Sequence, residues 1–237
     1  MSQRIFGLLL IPFFSLSFTA AHAYEGKYRI SAEQGYLVGG EGDSGDSFRY
    51  DGSDIWTGAG QATIDVDERH NTGVVTGTVM THGHTYTVVM DRFSGPAKVM
   101  SGGIAKDVYL HGATGHGAPI LPKVYNYIAG WGHANVYKDG KLLHRDYPAH
   151  FMLTDGVRDK VTHKVDFPGP MRLMQAKKRG DKAAVQTALK EIKAAADNVD
   201  TSTMQLHVIV HSEQKNHDHF PPFQVFMHFM WDEVTWH

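Results

Sequence analysis

The chain has no cysteine among its 237 residues, and that single absence removes several chemistries. Disulfide staples, covalently attached c-type haem, iron–sulfur clusters, thiolate zinc and blue copper all need the missing thiol. A lipid anchor on an N-terminal cysteine is excluded for the same reason. Any metal must be held by His, Met, Asp, Glu or backbone oxygen. Surplus charge is lacking too: 23 Lys and Arg against 25 Asp and Glu leave a formal net charge of −2. Neither nucleic acid nor an anionic membrane is therefore indicated as a partner. No HExxH, G-x-S-x-G or phosphate-binding loop occurs, which removes the common zinc peptidase, serine hydrolase and nucleotide-binding readings. No repeat of fixed period is visible.

Long apolar runs are missing everywhere except near the start, where residues 5–18 follow Arg4 and lead to Ala21-His22-Ala23. This pattern reads as a secretory signal peptide cut before Tyr24. The run contains Pro12 and is short of the roughly 20 residues that span a bilayer as a helix. The expected product is an exported chain, periplasmic or secreted, with no transmembrane segment. Residues 24–237 are expected to form a single β-rich domain. Without disulfides it must be stabilised by its core.

The pattern along that domain is one of many short strands. Residues 60–67 alternate polar and apolar, His70-Asn71-Thr72-Gly73 makes a turn, and 74–80 alternate again, which is a hairpin. Further strand signals fall at 85–91, 107–111, 124–128, 133–138, 142–144 and 150–154. A Gly, Asp and Ser cluster at 39–47 reads as a solvated loop. One helical tract is expected at about 170–197, opened by Pro170 and interrupted at Gly180-Asp181. Its second part carries Val185, Ala188, Leu189, Ile192 and Ala195 on one face, so an amphipathic helix packed on the sheet is expected. The fold class is accordingly mainly β: an antiparallel β-sandwich or barrel with one helical insertion and a C-terminal β-hairpin.

What the chain has in abundance is histidine, sixteen in all. Six lie between His207 and the C-terminal His237. The run from Leu206 to His211 puts His207 and His211 on one face of a strand, and 224–231 puts His228 and Met230 on one face of the next. A hairpin folded symmetrically about His217 and Asp218 would set His207 opposite His228. The tripeptide His150-Phe151-Met152 recurs as His228-Phe229-Met230, and Met80-Thr81-His82-Gly83-His84 offers a third cluster if its strand continues through Gly83. Each places an imidazole beside a thioether, the donor set suited to copper. The element is similar to the H-x-M of periplasmic copper chaperones, but their upstream methionine spacing is missing, so no family is assigned. His111 and His116 lie in a glycine-rich loop followed by Tyr125, Tyr127, Trp131 and Tyr137, a texture suited to a metal, a sugar or a flat ring.

These residues support three expectations. The leading one is an exported His/Met-rich metal-binding protein in copper handling or as an accessory to a redox system, with zinc or iron as other candidate ions. Its ligands would come from His207, His228, Met230, His211, His82, His84, Met80, His150, Met152, His111 and His116. The second is a mononuclear metal-dependent oxidoreductase, combining His207 or His228 with His82, His84 or Asp91. The third is a non-catalytic β-sandwich that binds a ligand or a surface.

Overall fold

A computed structural model of the chain describes residues 26–41, 51–95, 102–117, 121, 123–165, 169–195, 204–216 and 221–237. The expected signal peptide and the loop histidines His217 and His219 lie outside these residues. In chain order the elements are β1 (Lys27–Val38), β2 (Ile55–Trp56), β3 (Ala59–Asp67), β4 (Thr72–Thr81), β5 (His84–Phe93), β6 (Gly103–Leu110), a single 3-10 turn (Gly112–Thr114), β7 (Val124–Lys138), β8 (Lys141–Asp155), α1 (Gly169–Lys178), α2 (Lys182–Ala195), β9 (Met204–His211) and β10 (Phe226–Trp236).

Eight of the strands form a closed antiparallel barrel in the order β1, β3, β4, β5, β7, β8, β9, β10, with β10 paired back to β1. Of the two expected architectures, the barrel is therefore the one that forms. Closure removes the unpaired edges that an open sheet would expose. The other two strands are accessories. β6 pairs with Val124 to Trp131 of β7, in line with β5, which pairs with Gly132 to Lys138; β2 adds two residues to β1.

Two tight turns show why the hairpins sit where they do. Between β4 and β5 both turn residues are left-handed, His82 at φ 50° and Gly83 at φ 78°, and between β7 and β8 Asp139 and Gly140 adopt φ 51° and 75°. Such turns match the natural twist of paired strands. The strand expected to continue through Gly83 therefore ends at Thr81, and His82 and His84 do not share a strand face with Met80.

Inside the barrel the side chains pack solidly. Trp231, Tyr86, Phe151, Phe229 and Met90 are fully buried with aliphatic residues from every barrel strand. An eight-stranded barrel is just wide enough for such filling. Trp231 reaches across the lumen: its Nε1 donates to the Thr78 carbonyl at 3.2 Å. Gly35 and Gly77 face its ring so closely that a Cβ at either position would collide with it.

The helical tract divides as expected into α1 and α2 around Gly180. The helices make their chief contacts with each other, and α2 also reaches the 3-10 turn. The expected packing on the sheet does not dominate, because coil segments cover the apolar part of the outer wall.

Candidate functional site

Inward and outward residues alternate along each strand, so the residues between those of the core form the outer wall. On β8 these are His150, Met152 and Thr154; on β9 they are His207, Ile209 and His211; Phe226 and His228 of β10 and Trp131 of β7 complete the patch. Three coil segments close over it. The connection after β6 brings His111, Gly117 and Leu121, the stretch after β8 brings Val157 and Val165, and the β9–β10 connection brings Pro221, Pro222 and Phe223. Between wall and cover lies a cavity of about 450 Å³, within the range of sites that enclose drug-sized molecules.

The stretch after β8 is held down by Gln205, whose amide uses both its donors and its acceptor oxygen. Oε1 accepts from the backbone N–H of Val157 at 2.7 Å and of Arg158 at 2.9 Å. Nε2 donates to the Arg158 carbonyl at 2.9 Å and to Asp232 Oδ1 at 2.7 Å. Tyr36 donates to the same carboxylate oxygen at 3.1 Å. This buried clamp places Val157 at the cavity, and a buried amide so fully satisfied resists rearrangement.

His207 and His228 are each only 4 % exposed and are joined directly, His207 Nδ1 to His228 Nε2 at 2.9 Å. The proton positions follow from Thr154. Its hydroxyl proton goes to the Asp155 carbonyl at 2.6 Å, so its oxygen accepts from His207 Nε2 at 3.2 Å. With Nε2 protonated, a neutral His207 has its lone pair on Nδ1, which accepts from His228 Nε2–H. The chain of donation runs His228 to His207 to Thr154 to Asp155.

His211 donates from Nδ1 to the Ser212 carbonyl at 3.0 Å; when neutral it keeps Nε2 as an acceptor. Its ring stacks on Phe223, centroids 4.0 Å apart, and Phe223 is nearly parallel to Phe226 at 6.2 Å. Across the patch, His150 stacks at 19° to Trp131.

His111 is held in a conformation that side chains other than glycine seldom adopt, φ 64° with ψ −174°. The surrounding loop enforces it. The His111 N–H donates to the His116 carbonyl at 2.6 Å, and its carbonyl accepts from Thr114 Oγ1 at 2.7 Å. Its Nδ1 is buried without a hydrogen-bond partner. Strain of this kind collects at ligand sites.

Burial decides the charge of these rings. It pushes His111 down to about 4 and His150 and His207 down to about 3, lowers His211, and holds His228 well below its ordinary value. Arg158 adds to the effect on His207 and His228. At neutral pH wall and cover together thus present five uncharged imidazoles, each able to donate one hydrogen bond and accept another.

Of the residues singled out in the sequence, His111, His150, Met152, His207, His211 and His228 converge on the cavity. Met230 shares the outward face of β10 but packs apart, beside Tyr36 and Val38. The β4–β5 turn is separate: Met80 is 53 % exposed, the His82 ring lies tilted by 38° against Trp56 at 4.3 Å, and His84 Nδ1 bonds Asp139 Oδ2 at 2.7 Å. His116 is exposed and supplies backbone contacts to His111. The register expected for the terminal hairpin is off by two. His207 pairs with Met230 and His228 with Ile209, which leaves the two imidazoles diagonal on the same face. Sequence reasoning passed over Thr154 and Gln205. Thr154 lies in phase with His150 and Met152, so period 2 could have found it, as it groups Ile209 with His207 and His211.

Among the described residues no group of three or more His, Asp or Glu side chains is disposed to hold a metal ion. No family model matches the chain, and neither curated proteins nor solved structures yield a similar one.

Proposed function

We propose that the chain is an exported binding protein for a small, mostly apolar molecule, held in the cavity between the outer barrel wall and its three covering segments. The observation that carries this reading is the cavity itself: about 450 Å³, bounded by aliphatic and aromatic side chains with a few polar groups set among them. Largely apolar concavities with a few oriented polar groups are the usual form of ligand sites. Among the described residues, Trp231 and its neighbours pack the barrel lumen.

Copper handling through clustered His and Met is the second reading. It is supported by the unprotonated Nε2 that its bond to Ser212 leaves on His211 and by Met152 standing in phase with His150. Among the described residues no three His, Asp or Glu side chains are grouped to hold an ion, so such a site would need Met152 among its ligands.

The test is a titration of the full chain with N-phenyl-1-naphthylamine, a neutral dye that brightens in apolar surroundings. Binding of about one equivalent, abolished in Ile209→Trp, is the expected result. Ile209 points from the wall into the cavity, so the larger ring occupies ligand space and leaves the barrel interior untouched. No dye binding, together with one tightly bound copper by elemental analysis, would replace the first reading by the second.

A further inference from the structure

We infer that the cavity selects an uncharged aromatic compound bearing a hydroxyl group, a phenol, over its carboxylated and its unsubstituted counterparts. The inference rests on the ligand-binding reading and sharpens it to a chemical class. Three features of the wall carry it.

The first is the absence of formal charge. None of the described residues lining the cavity is Asp, Glu, Lys or Arg. A carboxylate or ammonium entering it would leave water and meet no charged side chain in the lining, a desolvation that is unfavourable. The imidazoles do not supply that charge at pH 7, since burial keeps them neutral. A neutral ligand has no such cost.

The second is the disposition of rings. His211, Phe223 and Phe226 form a run of nearly parallel planes, and His150 and Trp131 form another. Flat apolar faces of this kind favour an aromatic guest through stacking and edge contacts.

The third is the polar groups left over. His111 lines the cavity from a strained backbone conformation, but its Nδ1 has almost no accessible surface and is out of a ligand's reach. Nε2 of His211 is an acceptor by its tautomer. A ligand that covers the His211 Nε2 acceptor with carbon leaves it unsatisfied, whereas a hydroxyl donates to it. A carbonyl could serve only as acceptor.

Displacement of N-phenyl-1-naphthylamine from the full chain at pH 7 by 2-naphthol, naphthalene and 2-naphthoate tests this. The expected order is 2-naphthol about tenfold tighter than naphthalene, the effect of one hydrogen bond to an otherwise unsatisfied group, and more than tenfold tighter than 2-naphthoate. His211→Phe, which keeps a flat ring against Phe223 and removes the Nε2 acceptor, is expected to reduce the advantage of 2-naphthol over naphthalene while dye binding persists. Equal affinities for 2-naphthol and naphthalene, or tighter binding of 2-naphthoate, would overturn the inference and leave the ligand-binding reading standing. Failure of the dye and all three competitors to bind would overturn that reading itself. The comparison in the unaltered chain does not depend on how the variant folds.

Discussion

Acidification from pH 7 to pH 5 should destabilise this protein well before its carboxylates titrate, and the buried imidazoles set the size of the effect. In the unfolded chain a histidine takes up its proton near pH 6.5. In the folded protein burial holds His207 and His150 near 3 and His111 near 4, and shifts His211 and His228 in the same direction. Between these limits the unfolded chain binds more protons. Stability therefore rises with pH, is complete above about 6.5, and is lost as the pH falls toward the folded values. At pH 5 one ring held near 3 contributes about 2 kcal/mol less than at pH 7, since each pH unit is worth 1.36 kcal/mol per proton. His207 and His150 together thus account for about 4 kcal/mol, a large share of the 5–15 kcal/mol typical of a domain. Asp232 works in the opposite sense. Burial raises its carboxyl, although Gln205 and Tyr36 pull it back down, and it can cancel at most one proton of the difference. Urea unfolding at pH 7, 6, 5.5 and 5, read as the transition midpoint and slope, measures the sum. His150→Phe should lower the pH dependence between 6 and 5 by about 1 kcal/mol per unit. An unfolding free energy constant to within about 0.5 kcal/mol from pH 7 to pH 5 would refute the reasoning, because the rings would then be titrating as if in water.

Other perturbations probe separate parts of the structure. Thr154→Val removes the acceptor of His207 Nε2–H while keeping the side-chain shape, and should cost about 1–3 kcal/mol in urea unfolding at pH 7; nitrogen NMR of the unaltered chain should show both His207 and His228 protonated on Nε2. Gly77→Ala pushes a methyl into the Trp231 ring, and overpacking of this kind is expected to cost about 1–3 kcal/mol, seen as a lower urea midpoint. A His82→Ala/His84→Ala double variant should leave dye affinity within about twofold, as expected of independent sites; a larger loss would tie the β4–β5 turn to the cavity.

The architecture was legible in outline because strand patterning is a local signal. The alternation at 60–67 and 74–80 produces β3 and β4, and the double-faced apolar run before Trp231 is a strand buried on both sides, inward against the lumen and outward beneath the covering segments. Closure was not legible, since pairing of β1 with β10 joins residues some two hundred positions apart. The candidate site was half legible. Period 2 groups His207 with His211 and His150 with Met152 from the sequence alone, but which strands lie side by side depends on the barrel order. Register failed where a loop containing Pro221 and Pro222 left it unspecified. The pairing of imidazole and thioether as donors to one ion did not emerge for His228 and Met230, because the sheet curves and the two side chains meet different neighbours.

The solid lumen and the lateral cavity have a consequence for how such a protein can change. Along β8 and β9, odd and even positions answer to different demands: Phe151, Leu153, Leu206, Val208 and Val210 hold the barrel together, while His150, Met152, His207, Ile209 and His211 meet whatever occupies the cavity. Substitutions in the second set leave the first set's contacts in place. Relatives could diverge in ligand at every second residue of these strands and inherit the same barrel, whereas a protein that stores its ligand inside the lumen must alter its core each time its ligand changes.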